Sequence, residues 1–333
     1  MSRLVDGYDL VVFDLDGVIY LIDKPIPGAA AAVERLRSDG TTVAYATNNA
    51  SRRAAEVAAL LSGMGVPATA GEVLTSAGAS AVVLAERLPA GAPVLVVGAD
   101  ALRDEVRDAG LTPVERAEDS PAAVVQGYGP DVGWRILAEA ALAVRAGAVW
   151  VATNTDRTLP SPRGPLPGNG SLVAVLRTAL DRDPDVVVGK PQPALFTTAA
   201  SQSGARRPLT VGDRLDTDIE GAVRAGQDSL LVLTGVSGPA DLLAAPEDQR
   251  PTYVAADLSA LFGPPEAARI PGGGTGEMGG WRLARDGSAV VLDGAGDPVD
   301  ALRLLCPATW AGAEPRAASD AARELVKEWG LPG

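Results

Sequence analysis

The stretch VVFDLDG, Val11 to Gly17, runs an apolar segment into two aspartates separated by one leucine and closed by a glycine. Charges as close as those of Asp14 and Asp16 favour protonating one of the two, unless a cation or a reaction uses the pair. Asp and Gly are also ordinary turn residues after a strand, and read alone the stretch is a solvated turn. The rest of the chain has to decide between these readings.

Three further short apolar runs end in a polar residue in the same way: TTVAYAT at Thr47, DVVVGK at Lys190 and LTVGD at Asp213. Each is β-branched and nearly continuous, the pattern of a buried parallel strand. Helical patterns alternate with them. GAAAAVERLRSDG after Gly28 has helical spacing and a Gly stop, and SRRAAEVAALLSGMG opens on Ser51 as N-cap and stops at Gly63 or Gly65. Alternation of this kind predicts an α/β fold with a doubly wound, Rossmann-like parallel sheet, whose ligands sit beyond the carboxyl ends of the strands. Asp14, Thr47, Lys190 and Asp213 all fall at such ends.

Between Thr47 and Lys190 the chain is far longer than one connection requires. It carries strand-like APVLVVGAD, AAVVQGYG and AVWVATNTD and helix-like WRILAEAALAVRAG. The predicted organisation is a core of residues 1–78 plus 185–262 and an inserted α/β domain at 79–184. A Gly- and Pro-rich linker at 263–280 and a small α+β extension at 281–333 follow. In that extension GGWRLARDGSAVVLDG reads as two strands about an Asp-Gly turn, and AASDAARELVKEWG as a terminal helix. So short a unit buries little surface by itself, so it is expected to dock on the main body or on a second subunit.

Composition narrows the chemistry. The 333 residues carry a net charge of −13, which disfavours nucleic acid and anionic membrane surfaces. The expected setting is cytoplasmic, with no targeting segment and no apolar run long enough for membrane insertion. There is no histidine, which removes the commonest general base and every Ser-His-Asp triad. The single cysteine, Cys306, has no partner for an internal disulfide and no nearby cation, so it reads as a buried structural residue.

The motifs DLDGVIY, ATNNAS, VGKPQP and VGDRLDTDIEGA, in that order, resemble the four motifs of haloacid dehalogenase-superfamily phosphatases. The insertion between the second and third, together with ATNTDRTLPSPRGPLPGNGSLVAVL, is similar to subclass IIA and its inserted α/β cap. The resemblance covers about residues 8 to 262 and implies hydrolysis of a small phosphate monoester through an aspartyl-phosphate. It makes Asp14 the nucleophile and Asp16 the acid that protonates the leaving group and later activates water. It implies Mg²⁺, held by Asp14, the main-chain carbonyl of Asp16 and Asp213, with Asp218 orienting metal-bound water. Thr47, Asn48, Asn49 and Lys190 would hold the phosphate, though Thr47 and Asn48 also suit a helix cap and Lys190 a loop. Asp216 reads as a helix N-terminal acid without a chemical role.

Substrate choice falls to the cap, where Asn154, Asp156 and Arg157 of TNTDR face the leaving group or serve as turn residues. Within the subclass, glycerol 3-phosphate is the leading substrate, with phosphoglycolate, pyridoxal phosphate and nucleotides as alternatives. The missing histidine counts against pyridoxal phosphate recognition by a cap histidine. A phosphotransferase or mutase, and a non-catalytic sensor of a phosphorylated metabolite, are the rival readings, and a homodimer is compatible with an inserted cap. RIPGGG, Arg269 to Gly274, matches the R-x-x-G-x-G pattern of acetyltransferases of the GCN5-related type, but that pattern needs a strand before it and a helix after it.

Overall fold

The computed structural model describes residues 2–22 and 24–331. They form two compact units: Met1–Tyr20 with Ile26–Val43 and Gly204–Gly333, and Leu21–Pro25 with Ala44–Ser203.

In the first unit, Leu10–Phe13 pairs in parallel with Pro208–Gly212, from Leu10 opposite Pro208 to Phe13 opposite Val211. Asp228–Val232 adds to Pro208–Gly212, and Tyr253–Ala255 to Asp228–Val232, again in parallel. Leu10–Phe13 is buried throughout, which is why its sequence is continuously apolar instead of alternating. The helix Ala29–Ser38 buries Ala29, Ala32, Val33 and Leu36, the single stripe that its spacing predicts.

The second unit is built on a five-stranded parallel sheet in the order Val186–Val187, Val149–Ala152, Ala123–Gln126, Pro93–Val97, Thr112–Val114. Alternate residues of Pro93–Val97 serve opposite faces. Val94 and Val96 pack with Leu84, Leu102 and Val106, while Leu95 and Val97 pack with Leu137, Val144 and Leu176. Residues 45–47 pair in parallel with 73–75 in the same unit.

Two local expectations change. The run ending at Lys190 forms only Val186–Val187, on the edge of the inserted sheet. Val188 and Gly189 prolong it by donating to the main-chain oxygens of Ala152 (3.0 Å) and Thr153 (2.8 Å). Ser51 is not an N-cap. The helix starts at Ala54 because the Glu56 carboxylate accepts from the Arg53 N–H at 2.7 Å, while Ser51 bonds Asn49. It closes on Gly65, whose φ of +80° is the left-handed terminator.

The chain after Phe262 belongs to the first unit. Trp281–Asp286 and Ala289–Gly294 form the antiparallel pair about Gly287, with Gly276–Met278 on one edge. Glu314–Ala317 lies parallel to Ala289–Gly294 on the other. The terminal helix Asp320–Glu328 is capped by Ser319, and a second helix, Pro298–Trp310, was not legible beforehand. Trp281, Leu302, Leu305 and Cys306 share one hydrophobic cluster with Leu215, Ile219, Leu242 and Val254 of the parallel-sheet body. The stretch 263–280, read as a linker, is fastened along its first half. Val254 donates to Ala268 at 2.9 Å, and the buried Arg303 guanidinium donates to the main-chain oxygens of Glu266 and Arg269. Arg269 itself covers the Tyr253 ring and donates to its hydroxyl at 2.7 Å, and the element after RIPGGG is a strand, not a helix.

Burial pushes the Cys306 thiol pKa up. A disulfide reagent is therefore expected to leave it untouched in the folded protein and to titrate one thiol after denaturation. Fast labelling of the native protein would show that the cluster opens. Among the described residues, no helix is long and apolar enough to cross a membrane.

Candidate active site

Asp14 follows Leu10–Phe13 directly, and its N–H continues the ladder by donating to Val211 O at 2.9 Å. The chain then turns sharply: Leu15 O accepts from Ile19 at 2.9 Å and Tyr20 at 3.1 Å, and Gly17 donates to Tyr20 O at 2.8 Å. Gly17 has φ +89°, and a Cβ there would overlap the Asp213 carboxylate. That is the physical demand behind the glycine of DLDG. Asp16 lies half-buried in this turn.

Asp213 follows Pro208–Gly212 and is fully buried. Its carboxylate is flanked by Gly17 and Gly235, and its Oδ2 accepts from Val236 N at 2.7 Å. Ser237 N donates to Asp213 O at 3.0 Å, the Ser237 hydroxyl accepts from Leu215 N at 3.0 Å, and the Thr234 hydroxyl donates to Gly17 O at 2.6 Å. The loop Thr234 to Ser237 thus fastens both the DLDG turn and Asp213, and sequence reasoning had missed it. Its only advance signal was TGVSG at the end of an apolar run.

Asp218 lies in a π-helical turn, Leu215–Ile219, and its Oδ2 accepts from Asp213 N at 3.2 Å and Arg214 N at 3.1 Å. A Cβ on Gly212 would overlap it, so the close approach again depends on glycine. Asp216 points away and pairs with Arg214 at 2.8 Å. Asp14, Asp213 and Asp218, all buried, each bring one carboxylate oxygen within 4.8 Å of the others. Three buried carboxylates with no nitrogen or sulfur donor form the ligand set of a hard divalent cation, and the residues fit Mg²⁺.

The remaining candidates lie in the second unit. Thr47 closes the strand Thr42–Thr47, and its hydroxyl accepts from Asn49 N at 3.1 Å. Asn49 Oδ1 accepts from the Ser51 N–H and hydroxyl at 2.8 and 2.7 Å. Asn48 and Lys190 are both buried and directly bonded, Asn48 Oδ1 accepting from Lys190 N at 2.8 Å. Asn154 is buried and donates to Asn48 O at 2.6 Å, its Oδ1 accepting from Asp156 N at 3.2 Å. Asn169, not anticipated, donates to Asn154 O at 2.7 Å and so holds this turn from behind. Arg157 is exposed, and its carbonyl accepts from the Ser171 hydroxyl at 2.7 Å.

A carboxylate cluster at the ends of parallel strands, an inserted parallel-sheet domain and the four ordered motifs define one class. The chain belongs to the haloacid dehalogenase-like hydrolases, in the phosphatase subclass with an inserted cap. A model described as haloacid dehalogenase-like hydrolase matches residues 11–112, one described as HAD-hydrolase-like matches 187–261, and a GCN5-related N-acetyltransferase-like domain matches 278–331. Among its relatives, D-glycerol 3-phosphate phosphatase of Mycobacterium tuberculosis is 48% identical over 305 residues, spanning 92% of this chain and 84% of the relative. An acid sugar phosphatase of Staphylococcus saprophyticus is 35% identical over 258 residues, 77% of this chain and 97% of the relative. A crystal structure of the M. tuberculosis glycerol phosphate phosphatase in complex with magnesium superposes with a TM-score of 0.91 at 44% identity, covering 100% of both chains.

Proposed function

We propose that the protein hydrolyses glycerol 3-phosphate to glycerol and inorganic phosphate, with Mg²⁺, in two displacements at Asp14. The observation that carries this reading is the buried triad Asp14, Asp213 and Asp218, the first two directly after parallel strands and the third in the turn that follows. The choice of substrate rests on the 48% identity to a D-glycerol 3-phosphate phosphatase.

In the first step an Asp14 oxygen attacks phosphorus, the new O–P bond forms as the P–O bond to glycerol breaks, and Asp16 gives its proton to the departing alkoxide. In the second, water attacks phosphorus, Asp16 takes the water proton, and the O–P bond to Asp14 breaks to release phosphate. Lys190 balances phosphate charge, the Thr47 hydroxyl donates to a phosphate oxygen, and the Asn48 main chain follows Thr47 in the same turn. Asp14, the Asp16 carbonyl and Asp213 would hold Mg²⁺, with Asp218 orienting its bound water, and the ion when bound offsets the repulsion between the phosphate and the attacking carboxylate. Asn154, Asp156 and Arg157 are the cap-side candidates for reading the leaving group. A cytoplasmic setting and a homodimer accompany this reading.

The test is phosphate release from glycerol 3-phosphate, phosphoglycolate, pyridoxal phosphate, sugar phosphates and nucleotides, with Mg²⁺ or with a chelator. Turnover of glycerol 3-phosphate above the others, abolished by chelation and restored by Mg²⁺, is the expected result. A preference for sugar phosphates would move the substrate toward the staphylococcal relatives. No release from any ester would overturn the hydrolase reading.

Gly235→Ala tests the metal assignment. A methyl against the Asp213 carboxylate is expected to raise the Mg²⁺ concentration for half-maximal activity about 10–100-fold, as disturbing the groups behind a metal ligand does elsewhere. An unchanged Mg²⁺ titration would count against Asp213 as a ligand.

A further inference from the structure

We propose that Asn48 is a positioning residue for Lys190, its side-chain amide gripping the lysine main chain on both sides and tying it to the Asp156 carboxylate. The inference rests on the phosphate-balancing role read for Lys190 above.

A primary amide offers one carbonyl oxygen and two N–H donors, and Asn48 uses all three within one unit of the fold. Its Oδ1 accepts from Lys190 N at 2.8 Å, and its Nδ2 donates to Lys190 O at 3.0 Å. This pair of bonds clamps the lysine main chain as a neighbouring strand would. Nδ2 also donates to Asp156 at 3.1 and 3.2 Å, a charge-assisted contact. The Asn48 main-chain carbonyl is held in turn by the Ser76 hydroxyl and Asn154 Nδ2, each at 2.6 Å. The anchor of Lys190 is therefore itself anchored.

The glycine before the lysine is a second, independent sign of the clamp. A Cβ on Gly189 would come within 2.5 Å of both Asn48 Oδ1 and Thr153 O, so the approach exists only because the side chain is absent. Asp at position 48 would lose both donors and set a charge beside Asp156, Gln would overreach, and Ser would fall short. Asn is the residue that the geometry requires.

A lysine has a long, flexible stem, and fixing its main chain narrows where the ammonium can go. Displacements near 1 Å in a reacting site cost about 100-fold in rate. Asn48 thereby sets the phosphate-side charge without having to touch the substrate through its side chain.

The test combines a labelling readout and a double-mutant cycle. The chain has only three lysines, Lys24, Lys190 and Lys327, and the outer two are exposed. Acetylation by a water-soluble N-hydroxysuccinimide ester, followed by mass spectrometry, reads Lys190 against these internal standards. In Asn48→Ala the Lys190 rate is expected to rise at least about tenfold relative to Lys24 and Lys327. Asn48→Asp, which is isosteric and keeps the bond from Lys190 N, should rise less. An unchanged ratio in both variants, with Cys306 still unreactive as a mark of folded protein, would overturn the proposal. This arm needs no catalysis, so it stands apart from the hydrolase reading.

With an active wild type, Asn48→Ala is expected to lower kcat about 10- to 100-fold. Added to Lys190→Ala, it should change kcat by less than about twofold, because its effect passes through the lysine. A further tenfold loss in the double variant would mean that Asn48 acts on the substrate directly, and would also overturn the proposal.

Discussion

Asp14→Asn is expected to abolish phosphate release, lowering kcat by about 10⁴-fold or more, the scale seen when a covalent nucleophile is removed. The carboxamide has nearly the same shape, so the turn at Gly17 and the bond from Asp14 N to Val211 O should persist. The same change removes one of three buried negative charges that lie within 4.8 Å of one another. Without metal, that relief should make the inactive variant more stable than the wild type. At about 1 kcal/mol, the melting temperature would rise by about 1–2 °C in a chain of this size. With saturating Mg²⁺ the order should reverse, because the wild type gains more from binding. A variant that keeps more than a few per cent of wild-type turnover would take the nucleophile's role away from Asp14.

Ending the chain at residue 262 is expected to give protein that aggregates on expression. The cut strips Trp281, Leu302, Leu305 and Cys306 from a cluster that also contains Leu215, Leu242 and Val254, leaving a broad apolar face on the parallel-sheet body. It also removes Arg303 from the carbonyls that it holds and Trp310 from Leu242 O, to which its indole donates at 2.8 Å. A graded version is Leu302→Ala. Leu302 is fully buried, and the truncation should cost about 2–5 kcal/mol and lower the melting temperature by about 3–7 °C. Because Leu215 and Ile219 flank Asp218 and belong to the same cluster, the damage should reach the carboxylate triad and weaken Mg²⁺ binding. Soluble, fully active 1–262 would show the extension to be independent of the body.

Buried strands with a carboxylate or hydroxyl at their ends were legible because burial on both faces forces continuous apolar runs, and few residues follow such runs by chance. That logic placed Asp14, Thr47 and Asp213 at strand ends, and the length of chain between Thr47 and Lys190, with strand and helix patterns of its own, pointed to the insertion. Other features left no such trace. The helix Pro298–Trp310 contains Pro307, which reads as a breaker, yet the helix holds because six of its residues are buried in the shared cluster. The loop from Thr234 to Ser237 holds Asp213 through main-chain N–H groups, which every non-proline residue has, and the hydroxyls of Thr234 and Ser237 read as ordinary turn residues, so its sequence hardly records its task. The motif marks Asn48 only as a phosphate candidate, and nothing in it records that the side chain is bonded to Lys190 and Asp156, residues more than a hundred positions away. The stretch 263–280 has the composition of a linker, and what fastens its first half is an arginine more than thirty residues further on.

The pairing of Leu10–Phe13 with Pro208–Gly212 has a consequence for biosynthesis. The first strand leaves the ribosome about 200 residues before the strand that will cover its edge, a wait of roughly 10–40 s at ~5–20 residues per second. Meanwhile Ala44–Ser203 emerges without interruption and can collapse around its own sheet. The nascent chain therefore carries a sheet of its own beside an apolar strand with one edge still uncovered, a natural client for a ribosome-bound chaperone, and Asp14 is among the first residues made.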